Sequence, residues 1–153
     1  MPQLLKYLPL LGLLAAGSTA CSSHDDAADP QPAAVTDPAT LTTLKTGSVV
    51  AQGGTSSKGT LLVARNAAGK ELVRLNPDFM TEFHTGSVAI YLARSADQIR
   101  VQRAANPANV LKVGVITQNG LQDLVYEGSH AGFTHVVLYC EAAQYNFGAA
   151  ELK

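Results

Sequence analysis

The chain has 153 residues, room for one domain. Its composition is globular, 46% hydrophobic and 15% charged, with no run of like charges. The net charge of −1 argues against a nucleic-acid partner, which would need a clustered basic surface. Four of the twelve acids (Asp25, Asp26, Asp29 and Asp37) precede residue 44, so the remainder of the chain is mildly basic.

The first segment, "MPQLLKYLPLLGLLAAGSTACSS", carries one early positive charge, Lys6, and then an apolar core over residues 7–16. A core this short cannot span the roughly 30 Å of bilayer hydrocarbon. It reads as an export signal over residues 1–20, removed on maturation. Small residues leading to Cys21 resemble the lipobox of bacterial lipoproteins, although Ser18 replaces the usual aliphatic residue three places earlier. That resemblance implies a lipidated Cys21 and a membrane as the first partner. Two or more acyl chains, at about 0.8 kcal/mol per buried methylene, hold a protein stably on a bilayer. The residue after Cys21 is Ser22 and not the aspartate of inner-membrane retention, and Asp25 and Asp26 follow closely. The expected location is the cell envelope, with the outer membrane favoured and the choice of its face left open.

From residue 21 to 46 the chain is dominated by Ala, Asp, Thr, Ser and three prolines, Pro30, Pro32 and Pro38. It lacks the large apolar side chains that would offset the entropy of ordering. This stretch is expected to be a flexible tether, extending about 3 Å per residue.

From residue 47 to 153 short β-rich segments recur between turn signals: "GSVVAQ", "GTLLVARN", "KELVRL", "SVAIYLAR", "LKVGVITQ", "LQDLVYEG", "THVVLYC" and "YNFGAAEL". They are rich in Val, Ile, Leu, Thr and Tyr, as strands are. Asn119-Gly120 predicts a hairpin with a two-residue type I′ turn between the fifth and sixth. A second hairpin is predicted around Ala68-Gly69, and "SADQIRVQRAANPANV" predicts a short helix limited by Pro107. Many short, regularly spaced strands predict an all-β domain, an antiparallel β-sandwich or barrel.

Across this domain the chain resembles the DM-thirteen domain family, found in Skeletor-type animal proteins and bacterial lipoproteins. The resemblance rests first on Ser57-Lys58-Gly59-Thr60, on Leu72 to Leu75 with Phe79, and on Gly86 before Ile90-Tyr91-Leu92. It continues through Gly114, Gly120, Gln122 and Tyr126, and closes on Val136-Val137-Leu138-Tyr139-Cys140 with Phe147, Gly148, Ala150 and Leu152. Thr85-Gly86-Ser87 replaces the family's Gly-Pro-Asp, Tyr139 its tryptophan and Ala143 an aromatic residue. What the resemblance implies is an all-β domain whose cysteine, here Cys140, has been proposed to serve electron transfer.

If Cys21 carries lipid, Cys140 has no intramolecular disulfide partner. Three readings stand open. Cys140 shares its strand face with Val136 and Leu138, and a free cysteine packs as a small hydrophobe. As a redox thiol it would need exposure and a cation from another strand, since Glu141 is its charged neighbour. As a haem or copper ligand it would need His84 or His130, because His135 lies on the opposite strand face; no sequence motif for a metal site is present. Tyr139, Tyr145 and Phe147 are the candidates for a pocket around the thiol. Ser48 and Ser129 lie in no nucleophile elbow, and Asp78, Glu82, Asp97 and Asp123 read as scattered solvated charges. The expected function is therefore a lipid-anchored envelope accessory domain, not a conventional enzyme. Its role would be redox, through Cys140 and an envelope redox partner. The alternative is a non-catalytic module for a surface ligand, glycan or protein, with Cys140 as packing.

Overall fold

A computed structural model describes residues 34–153. The expected signal segment, Cys21 and the tether up to residue 33 lie outside the described residues. Eight strands follow in chain order: β1 (Thr42–Ala51), β2 (Thr60–Arg65), β3 (Glu71–Leu75), β4 (Val88–Ala93), β5 (Val110–Ile116), β6 (Gln122–Val125), β7 (His135–Cys140) and β8 (Tyr145–Glu151). Each falls on one of the segments predicted from β-branched content. The predicted helix is α1 (Ile99–Ala105), and a 3-10 turn at Pro107–Asn109 follows it where proline removes the next donor.

The strands form one antiparallel sheet in the order β5-β4-β7-β8-β1-β2-β3-β6. The two edge strands, β5 and β6, are consecutive in sequence, so residues 117–121 draw the edges together and the sheet curls into a nearly closed barrel. The fold is all-β, as expected. The predicted hairpin at Ala68-Gly69 is present, with Arg65 opposite Glu71 and the Asn66 carboxamide accepting from the N–H groups of Ala68 and Lys70.

The other predicted hairpin is not. β6 pairs with β3 instead of β5, and among the described residues Gln144 is the only non-glycine with positive φ, which rules out a type I′ turn at Asn119-Gly120. The reason is tertiary. The Asn119 side chain accepts from the Thr81 N–H at 2.7 Å, and the Gly120 N–H donates to the Phe79 carbonyl at 3.0 Å. The turn is thus bound to the segment that follows β3, and β6 lands beside that strand.

Alternation sorts the side chains. Inward-facing residues such as Val63, Val73, Ile90, Leu92, Val136, Leu138 and Phe147 fill the barrel. Outside, α1 inserts Ile99 against Ala89, Tyr91, Val137 and Tyr139, making a second small core. This helix has no side-chain cap of its own; Asn146 of β8, fully buried, accepts from the Ile99 N–H and donates to the carbonyls of Ala96 and Asp97.

The domain boundary expected at residue 47 falls inside β1. Before β1 comes a 3-10 turn, Pro38–Thr40, capped by the Asp37 side chain. Earlier still, Thr36 is bonded to Arg74 and Asp123 on the outer face of β3 and β6. Since Thr42 sits opposite Arg65 on β2, residues 36–41 form a strap running back across the barrel. Composition reads this stretch as solvated because its hold is on main-chain atoms, which leave no trace in residue type.

Candidate functional site

Cys140 ends β7 with its side chain inside the barrel, fully buried beside Val136 and Leu138. The shared face expected from even spacing is the one observed. Its sulfur has two polar neighbours, the Thr85 hydroxyl at 3.1 Å and the Ala143 N–H at 3.4 Å. Both belong to loops that roof this end of the barrel. Thr85 precedes β4, and Ala143 lies in the turn to β8, closed by a bond from the Gln144 N–H to the Cys140 carbonyl at 2.8 Å. Gln144 takes φ of 57° to make that turn. Thr85 and Ala143 are both solvent-exposed, so the buried sulfur lies directly beneath surface loops.

The three aromatic candidates divide. Tyr145, the cross-strand partner of Cys140, packs against Phe147 with ring centroids 5.1 Å apart, and both border the same core as the thiol. Tyr139 does not. One step along β7 from Cys140, it points to the outer face and meets Tyr91 edge-on at 5.9 Å. The pocket expected from Tyr139, Tyr145 and Phe147 together is therefore corrected: strand alternation removes Tyr139 from it.

Glu141 is engaged elsewhere. It accepts from the Tyr91 hydroxyl at 2.7 Å and from the Lys112 ammonium at 2.9 Å, and these bonds hold its carboxyl below the ordinary range. Burial, then the hydrogen bond to Glu141 and its charge, push the Tyr91 phenol up to about 12. Arg103 of α1 donates to the same phenol oxygen at 2.7 Å. The cluster fastens α1 and β5 to the outer face of β4 and β7.

None of the three domain histidines is hydrogen-bonded to Cys140. His84 pairs with Glu82 on the surface, His135 with the Thr134 hydroxyl, and His130 with Glu71. Among the described residues no group of three or more His, Cys, Asp or Glu is placed to hold a metal ion.

Two buried charge clusters escaped the sequence reading. Glu71, 6% exposed, accepts on one oxygen from the Tyr126 hydroxyl (2.9 Å), the His130 N–H (2.8 Å) and the His130 ring (3.0 Å), and on the other from Arg65 (3.1 Å). Burial alone would raise its pKa; the four donors outweigh it and bring the value down to about 2. Burial, with the neighbouring Glu71, drives the Tyr126 phenol the other way, above its usual range. The second cluster corrects the reading of Asp123 as a solvated charge. It is 1% exposed and takes two bonds from Arg74, its cross-strand partner, at 2.7 and 2.8 Å. A signal for it existed: Arg74 sits between Val73 and Leu75 and Asp123 precedes Leu124 and Val125, but their pairing needed the β3–β6 register.

On the outer face of β8, β1 and β2 lies a groove of about 480 Å³. Val50, 69% exposed, and Leu62 make its apolar floor, and Thr46, Ser48, Glu151 and Lys153 border it. The side chains of these last four form no hydrogen bond among the described residues, so their polar groups face outward unspent. Cys140 is not part of the groove. No family model, curated protein or solved structure matches the chain.

Proposed function

We propose that this is a lipid-anchored protein of the bacterial cell envelope whose β domain, similar to the DM-thirteen family, works as a non-catalytic binding module. In this reading Cys140 is a packing residue and the groove on β8, β1 and β2 is the ligand face. The observation that carries it is the complete burial of Cys140 among aliphatic side chains, with a neutral hydroxyl and an amide as its polar neighbours. A redox thiol works through its thiolate and through access to a partner. The groove offers what a surface ligand, glycan or protein, uses: free hydroxyls, one carboxylate and one ammonium over an apolar floor.

Electron transfer with an envelope redox protein is the second reading, and exposed Thr85 favours it. Displacing the loops that carry Thr85 and Ala143 would open the sulfur. A thiol probe separates the two. Folded protein is expected to stay unlabelled at Cys140 until denaturant is added, and Cys140→Ser protein to keep the wild-type binding pattern on glycan and protein arrays. Rapid labelling of the native protein, with loss of a redox response in Cys140→Ser, would replace the binding reading by electron transfer.

The anchor has its own test. Expressed with its leader in a diderm bacterium, the protein is expected to incorporate labelled palmitate and sediment with membranes. Cys21→Ser should abolish both, and soluble wild-type protein without label would refute lipidation.

A further inference from the structure

Arg74 and Asp123 form a fork on the outside of the barrel, held flat by their two mutual hydrogen bonds. The fork grips a single residue of the strap by both of its main-chain groups. Asp123 accepts from the Thr36 N–H at 2.6 Å, and Arg74 donates to the Thr36 carbonyl. Both fork side chains are more than nine-tenths buried, as in a built site and unlike a surface ion pair. Beside the fork on the same face, Ala64 and Leu72 are fully buried although the barrel interior lies behind them. The strap itself is thinly held. Val35 is 49% exposed, and no residue of the 3-10 turn Pro38–Thr40 is buried.

We propose that the Arg74–Asp123 fork is a binding site for one residue of an extended peptide, read through its N–H and C=O, and that the strap is its releasable resident. The ligand it takes is an extended segment with an acidic residue directly after the clamped one, as Asp37 follows Thr36. That acid fixes the turn leaving the seat, its carboxylate accepting from the Ala39 N–H at 2.9 Å. Because the barrel's ladders run without the strap, residues 34–41 detach while the barrel stays folded. The vacated seat then accepts a segment of the same sequence from outside. This site does not depend on the function of the groove or of Cys140.

Native-state hydrogen exchange on the full chain tests release without any substitution. The Thr36 amide is expected to exchange roughly 100-fold or more faster than those of Val63 and Val73, by an opening insensitive to low denaturant. A capped peptide of residues 32–41 tests the seat, with full-chain Thr36→Pro protein, whose own strap has lost its donor, as the receptor. It is expected to shift the NMR signals of the Arg74 side chain and of β6, and the same peptide carrying Thr36→Pro to bind at least about 10-fold more weakly. Added in excess to wild-type protein, the peptide should further speed exchange at Thr36. Thr36 exchange that occurs only with global unfolding overturns the proposal. So does a peptide that leaves β6 unperturbed in both proteins, or one indifferent to the proline.

Discussion

Arg74→Leu is expected to cost about 3–5 kcal/mol of folding stability at neutral pH, because it leaves the Asp123 carboxylate buried without its counter-charge. The pair is 5% and 1% exposed at its two side chains, with donor–acceptor distances of 2.7 and 2.8 Å. Burial disfavours the Asp123 charge, and the Arg74 hydrogen bonds reverse that, so its pKa lies below the usual range. In the variant only the Thr36 N–H remains to Asp123, and its pKa should climb. The double variant Arg74→Leu/Asp123→Leu should recover most of the loss, since a buried ion pair adds little beyond a well-packed apolar pair. Urea midpoints of the two single variants and the double variant form the cycle that decides. Equal losses in the single and double variants would show that packing, and not the unpaired charge, is responsible.

Glu71→Gln is expected to cost about 2–4 kcal/mol at pH 7 by weakening the bonds to Tyr126, His130 and Arg65. The pH dependence carries a sign of its own. The carboxyl has an ordinary value of 4.5 and a folded value of about 2, so the unfolded chain takes up its proton first. Its contribution, about 3 kcal/mol from the size of that shift, is complete above pH 4.5 and is lost as pH falls towards 2. Wild-type and Glu71→Gln stabilities should therefore converge on acidification across that window. A difference that stays constant from pH 7 to 2.5 would mean that the cluster is not what stabilises the loop between β6 and β7.

Much of the scaffold was legible without coordinates. All eight strands appear as runs of β-branched and aromatic residues between turn signals, and the helix as the one segment that proline cuts short. Even spacing alone placed Cys140 with Val136 and Leu138. The same rule, applied one residue back, would have turned Tyr139 away from the thiol; the error lay in grouping aromatics by nearness in sequence. Asn119-Gly120 failed for a different reason. Its local preference for a hairpin was overridden by two bonds to residues 79 and 81, which no local pattern contains.

The charged residues show where sequence reading stops. Arg74 and Asp123 look like the solvent side of half-buried strands, because alternation reports which face a residue takes and not what covers that face. Glu71 instead shares the inward face of Val73 and Leu75 at the end of its strand. Glu71 is enclosed by a loop arriving from beyond β6, and Arg74 and Asp123 are more than nine-tenths buried where the strap crosses them. The sequence by itself determined the class of fold, the strand positions and the inward direction of Cys140, since hydrophobic alternation and turn chemistry act over a few residues. The tertiary structure alone decided that β6 joins β3, that Cys140 is sealed beneath the loops of Thr85 and Ala143, and that three charges are buried. Those outcomes rest on contacts between segments up to 87 residues apart, fixed only when the sheet closes on itself.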